Sequence, residues 1–145
     1  MSRVVAGVVA AALAMLFIGQ ALAAPTVDTR KALETVIFHA GELAQRGTAL
    51  SGALLHIQHV INCLEGPNGK DFVQAVGYPC QGTGNGIIPD LEASSGAGAA
   101  KALQYSRIAL TLSLQAVKFT DVNAAQPWAK VIAGQATIAL NALPR

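Results

Sequence analysis

Helical periodicity is the feature that most limits what this chain can fold into. Four stretches of the sequence repeat apolar residues every three or four positions, the spacing that places them on one face of an α-helix. No stretch alternates apolar and polar residues for long enough to indicate a strand in a sheet. The sequence therefore predicts an all-α fold.

The breaks between the periodic stretches predict an antiparallel four-helix bundle. Gly47 separates the first two helices and allows a tight helical hairpin. Pro127 falls near the first turn of the last helix, where a missing N–H donor is tolerated. Helices joined by short connections pack as antiparallel neighbours. The predicted helices are Thr26–Arg46, Thr48–Leu64, Pro89 to about Thr120, and a fourth that is capped by Asp121 or Asn123.

The third predicted helix is apolar on two sides. Its two apolar faces consist of Tyr105, Ile108, Leu112 and Phe119 on one side, and Leu103, Leu110, Leu114 and Val117 on the other. The bundle can cover one face, so the long loop or a second protein must cover the other. A homodimer, or a partner protein in the cell envelope, is therefore one prediction for this chain.

A long connection rich in glycine and proline, Glu65–Pro89, separates the second and third predicted helices. Cys63 and Cys80 are the two cysteines of the chain, and in an exported protein they are expected to form a disulfide. The bridge would tether the loop to the second helix and stabilise the fold by roughly 3 kcal/mol. We expect the tethered loop to fold back over that helix as a lid, through its residues Phe72, Tyr78 and Asn85.

The N-terminal residues have the pattern of a secretory signal peptide. Arg3 supplies the positive start, Val4–Ile18 is an uncharged apolar run, and Ala21-Leu22-Ala23 is a small-x-small cleavage site. The apolar run is shorter than the roughly 20 residues that cross a bilayer as a helix. The sequence predicts a signal peptide over residues 1–23 and a single helical domain over residues 24–145. The protein is then exported, periplasmic or secreted, with no stable membrane span after cleavage.

Charge and composition exclude several kinds of partner. The formal net charge of the whole chain is +2 at pH 7, and no cluster of Lys and Arg is present to follow a phosphate backbone, which argues against nucleic acid. Met1 and Met15 precede the cleavage site, so the processed chain has no methionine to ligate haem or copper. The chain has no Cys-x-x-Cys-His motif for covalent haem attachment.

Two of the three histidines lie one turn apart on the second predicted helix. His56 and His59 share a helical stripe with Cys63, and this stripe lies beside the main apolar face. Imidazole pairs at this spacing suit zinc or copper(II), with His39, Glu42 or a water completing the shell. Across the hairpin His39 stands at nearly the same height as His56. The sequence leaves open whether the two side chains face each other.

These observations favour a non-catalytic exported protein that binds a transition metal, zinc or copper, beside the tethered loop. In the alternative without a metal, His56 and His59 form hydrogen bonds to the covering loop. A structural or dimerising bundle without a small ligand is the competing function. Non-covalent haem binding and an enzyme that uses a histidine as general base are weaker alternatives.

Overall fold

The computed structural model describes residues 27–145, and all regular secondary structure in this range is helical. The predicted signal peptide, residues 1–23, and the predicted start of the first helix at Thr26 lie outside the described residues. The all-α prediction is confirmed for residues 27–145. The helices are α1 Thr29–Phe38, α2 Leu50–Glu65, α3 Ile87–Glu92, α4 Ala99–Ala116 and α5 Val122–Ala142, with a π-helical turn at His39–Ala44 and a 3₁₀ turn at Gln74–Val76.

The prediction of one long helix from Pro89 to about Thr120 is wrong. Helix α3 ends at Glu92 and α4 begins at Ala99, so residues 27–145 contain five α-helices instead of four. The break ends at Gly98, whose φ of +80° suits glycine. A Cβ at Gly98 would overlap the carbonyl oxygen of Ala142. The small residues before α4 therefore make room for the end of α5.

The fully buried face of α4 also differs from the sequence prediction. The large apolar side chains predicted to form its two faces lie at its flanks and are partly exposed, and the buried residues between them are small. Small residues on both helices let the backbones of α4 and α5 approach closely. The buried stripes are Ala102, Ser106, Ala109, Ser113 and Ala116 on α4, and Ala125, Ala129, Ile132, Ala136 and Ala139 on α5.

Hydrogen bonds attach the end of α5 to the start of α1, and the start of α5 to the connection between the π-helical turn and α2. Arg30, at the start of α1, donates from Nη1 to three carbonyl oxygens at the end of α5, at 3.1 to 3.2 Å. Gln126, near the start of α5, donates to the Gly47 carbonyl at 2.8 Å. Helices α1 and α5 therefore run in opposite directions. Helix α2 packs against the π-helical turn and α4, which brings the two histidine-bearing segments side by side.

Among residues 27–145, no helix combines the length and the hydrophobicity that crossing a membrane requires.

Candidate metal centre

A disulfide attaches the long loop to the C-terminal part of α2. Cys63 and Cys80 are bonded, as the sequence predicts, with their Cα atoms 5.3 Å apart and both side chains buried. The bridge holds the middle of the loop against the helix that carries His56 and His59. The loop backbone therefore has a defined position beside these histidines.

Asn62 fastens the loop a second time. Its side chain is fully buried, and its Nδ2 donates to the carbonyl oxygens of Val73 and Gly77 at 2.9 and 2.6 Å. Its Oδ1 accepts from the backbone N–H of Val73 at 3.0 Å and from Gln58 Nε2 at 3.2 Å. These four bonds use every donor and acceptor of the amide. Residues 73–77 are therefore fixed to α2 by one buried side chain.

This role of Asn62 was not predicted from the sequence. The available signal was an amide near the C-terminal end of α2, just before a loop rich in glycine. A buried amide needs hydrogen-bond partners, and the nearest unpaired backbone groups are those of the loop.

The structure brings all three histidines together. The Nδ1 atom of His39 lies 3.2 Å from Nδ1 of His56 and 3.3 Å from Nδ1 of His59. One nitrogen from each ring lies within 4.8 Å of the other two, and all three residues are partly buried. His39 therefore faces both histidines of α2, which answers the question that the sequence leaves open.

A backbone carbonyl of the loop sets the tautomer of His59. Nε2 of this ring lies 2.6 Å from the carbonyl oxygen of Val76. Because a carbonyl can only accept, Nε2 must carry a proton, and in the neutral ring Nδ1 then presents a lone pair. The lone pair of His59 is thus directed to the side where His39 lies.

Hydrogen bonds among neutral rings cannot fully satisfy the three Nδ1 atoms. His39 can carry one proton on Nδ1, so that proton either serves one of its two short contacts or is shared between them. The other short contact of His39 then has no proton of its own to form a hydrogen bond. A cation between the three nitrogens would satisfy all the lone pairs at once.

The local electrostatics keep two of the rings neutral. Burial, with added repulsion from charge on His59 and then His56, lowers the pKa of His39 from 6.5 to about 4. Burial, and then repulsion from charge on His59, lowers the pKa of His56. Both rings are therefore deprotonated at neutral pH, the state in which an imidazole can ligate a metal.

Two of the three nitrogen–nitrogen distances in the cluster match those around a tetrahedral metal ion. Two Zn–N bonds of about 2.0–2.1 Å at the tetrahedral angle place their nitrogens about 3.3 Å apart. Neighbouring ligands in a square-planar copper(II) site with bonds of that length would be about 2.9 Å apart. The distances of 3.2 and 3.3 Å around His39 match the tetrahedral value. For these two pairs the spacing is closer to the zinc value than to the copper(II) value, and the nitrogens of His56 and His59 lie within 4.8 Å of each other.

A π-helical turn begins at His39. The buried residues Val36, Ala40 and Ala44 recur every four positions, which is longer than the α-helical repeat and suits the wider π-helical turn. The wider turn keeps Ala40 and Ala44 in the core while His39 faces α2. Turns of this kind are frequent at functional sites.

The other predicted site residues lie outside the histidine cluster. Glu42 forms an ion pair with Arg46 at 3.0 Å. Phe72 and Tyr78 pack edge to face with ring centroids 5.6 Å apart, and Asn85 donates to the carboxylate of Asp90 at the start of α3. The loop residue that meets the histidines is Val76, whose carbonyl oxygen accepts a hydrogen bond from His59 Nε2 at 2.6 Å.

The chain has no detectable match to a protein-family model, to a curated protein or to a solved structure. Its function is therefore inferred from the residues of the site.

We predict that Asn62→Leu destabilises the fold by about 2–4 kcal/mol, because it leaves buried loop N–H and C=O groups without partners. Denaturant unfolding measures the stability, and amide hydrogen exchange at residues 73–77 reports on the loop. Asn141→Leu, at an exposed position of α5, is the matched control and should change little. Equal stability of the two variants would contradict the role given to Asn62.

We predict that the metal-free protein loses stability as the pH falls from about 6.5 to 4. Above pH 6.5 both the folded and the unfolded His39 are neutral, so the ring contributes no pH dependence. Between the unfolded pKa of 6.5 and the folded pKa of about 4, the unfolded chain binds a proton that the folded chain rejects, which favours unfolding. The lowered pKa of His56 acts in the same direction.

Denaturant unfolding in the presence of a chelator, repeated across this pH range, measures the effect. Because carboxylates also titrate near pH 4, the comparison is with His39→Gln, whose stability should fall less steeply with decreasing pH. If the stability of the two proteins depends on pH in the same way, the lowered pKa of His39 is contradicted.

Proposed function

We propose that this chain is an exported, non-catalytic binding protein that holds one transition metal ion, preferably Zn²⁺, between His39, His56 and His59. The observation that carries the proposal is the approach of Nδ1 of His39 to within 3.2 and 3.3 Å of the Nδ1 atoms of the other two rings. The proposed frame is an antiparallel arrangement of the long helices, with the ion between the first helix and α2.

The surroundings of the ligands support the proposal. Histidines that bind metals nearly always donate their other ring N–H to a carbonyl or carboxylate, which orients the ring. His59 makes this contact with the carbonyl of Val76, and that carbonyl belongs to the segment fastened by Asn62. The loop therefore has the properties of an outer shell for the metal.

The composition of the cluster supports a bound zinc ion with one open position. Within residues 27–145, the cluster consists of three imidazoles without a carboxylate or thiolate. Three histidines occupy three corners of a tetrahedron, and a water or an external ligand takes the fourth. We propose binding without turnover because the sequence carries no recognisable catalytic motif.

Export is supported by two features that depend on different physics. The N-terminal residues have the charge and hydrophobicity pattern of a signal peptide. The protein contains the Cys63–Cys80 disulfide, and disulfides persist in oxidising compartments outside the cytosol. A homodimer and an envelope partner stay predictions of the sequence.

We predict that the oxidised protein, stripped with a chelator, binds one equivalent of Zn²⁺ and melts at a higher temperature when loaded. Calorimetric titration and thermal unfolding measure the two effects. His56→Ala should weaken zinc binding by more than about 100-fold, because loss of a ligand costs more than the 10- to 100-fold loss from an outer-shell partner.

Gln104→Ala, at an exposed position of α4, is the control and should bind zinc like the unaltered protein. Cu²⁺ titrated in parallel tests the preference for tetrahedral geometry. If the protein takes up neither ion, or if His56→Ala and Gln104→Ala bind zinc equally well, the proposed function is wrong.

A further inference from the structure

The fourth position of the proposed metal ion is reachable from outside. The three histidines are each partly exposed, and the nearest carboxylate on the first helix, that of Glu42, is paired with Arg46 at 3.0 Å. Among residues 27–145, no carboxylate or thiolate joins the three histidines in one group of possible ligands. The ion would therefore keep an exchangeable position.

Gly52 leaves open space one turn before a proposed ligand, His56. It precedes His56 by one turn of α2, and helical side chains lean towards the N-terminus, so the His56 ring extends over the turn that contains Gly52. A Cβ at Gly52 would meet no atom within 4 Å. The absence of a side chain here keeps open a gap next to one ligand.

Two exposed apolar side chains border the cluster. Phe38 is 52% exposed, and its ring stands edge to face with the His39 ring at a centroid distance of 5.8 Å. Leu55 is 39% exposed and lies one turn before His59 on α2. Apolar side chains are therefore exposed next to a histidine of the cluster on the first helix and one turn from another on α2.

Charge selects the kind of ligand. Three neutral imidazoles leave the full +2 charge of a zinc ion uncompensated, and the partly buried setting strengthens its attraction for an anion. Zinc accepts carboxylate oxygen readily, and this is the ligand type that the cluster lacks.

We propose, on the basis of the zinc site proposed above, that its open position binds the carboxylate of a small organic acid whose apolar group packs against Phe38 and Leu55. Gly52 is the residue that keeps the approach open. The protein then captures such acids through the metal, without covalent chemistry.

Cobalt-loaded protein tests this inference, because the visible absorption of Co²⁺ depends on its fourth ligand. Acetate and benzoate are titrated at constant ionic strength. Both should change the spectrum, and benzoate should act at about tenfold lower concentration because its ring buries apolar surface. Phe38→Ala should remove most of this advantage while leaving the acetate titration unchanged.

Gly52→Leu tests the approach route. It should raise the concentration needed for either acid by more than about tenfold while leaving cobalt affinity within about threefold, because the side chain fills the gap without touching a ligand nitrogen. Gly134→Leu is the matched control, since a Cβ at this exposed glycine of α5 also meets no atom within 4 Å. Its titrations should equal those of the unaltered protein.

The loading step separates the two proposals. Failure to take up Co²⁺ or Zn²⁺ is seen before any acid is added, and it overturns the metal site together with this inference. A cobalt spectrum that ignores both acids overturns the inference alone, as does a Gly52→Leu variant that behaves like Gly134→Leu. The inference is also overturned if only the Glu42→Gln variant responds to the acids, because Glu42 would then be the natural fourth ligand.

Discussion

The attachment of the glycine-rich loop to α2 is the constraint on which the site depends. The Cys63–Cys80 bridge holds the loop near the helix. It stabilises the folded state by roughly 3 kcal/mol, because it removes conformational entropy from the unfolded chain. Asn62 then fixes the backbone of residues 73–77. Only with this segment in place does the Val76 carbonyl meet His59 and direct its Nδ1 lone pair towards His39. The disulfide and the buried Asn62 side chain thus determine the tautomer of His59.

The histidine cluster is costly for the metal-free protein. Three basic rings share one small space, where burial and mutual repulsion lower the pKa of His39 to about 4. A fold that gained only stability from these positions would do better with apolar side chains. A bound metal ion would make the cluster favourable, because it needs the same rings neutral and would form a coordinate bond with the lone pair of each. This balance of energies supports the proposed metal site.

Local spacing was enough to predict much of this structure. The helical repeats, the disulfide and the stripe of His56 and His59 all follow from residues near one another in sequence. The rotation of His39 could not be predicted, because it depends on a π-helical turn whose signal is a four-residue spacing of small buried residues. The break before α4 was missed for a similar reason, since Ala, Ser and Gly at residues 93–98 are compatible with a helix until α5 packs against them. The loop was predicted to cover the histidines through side chains, and the hydrogen bond to a backbone carbonyl, that of Val76, could not be predicted because it depends on the exact path of the loop.

The central claim is that the Nδ1 atoms of His39, His56 and His59 share one metal ion. Long-range ¹H–¹⁵N spectra of the histidine rings test it most directly, because they report the protonation and ligation of each ring nitrogen. One equivalent of Zn²⁺ should shift the Nδ1 signals of all three rings together while His59 Nε2 stays protonated against Val76. Nitrogen signals that ignore zinc, or a shift at Nε2 of His59 instead of Nδ1, would contradict the claim.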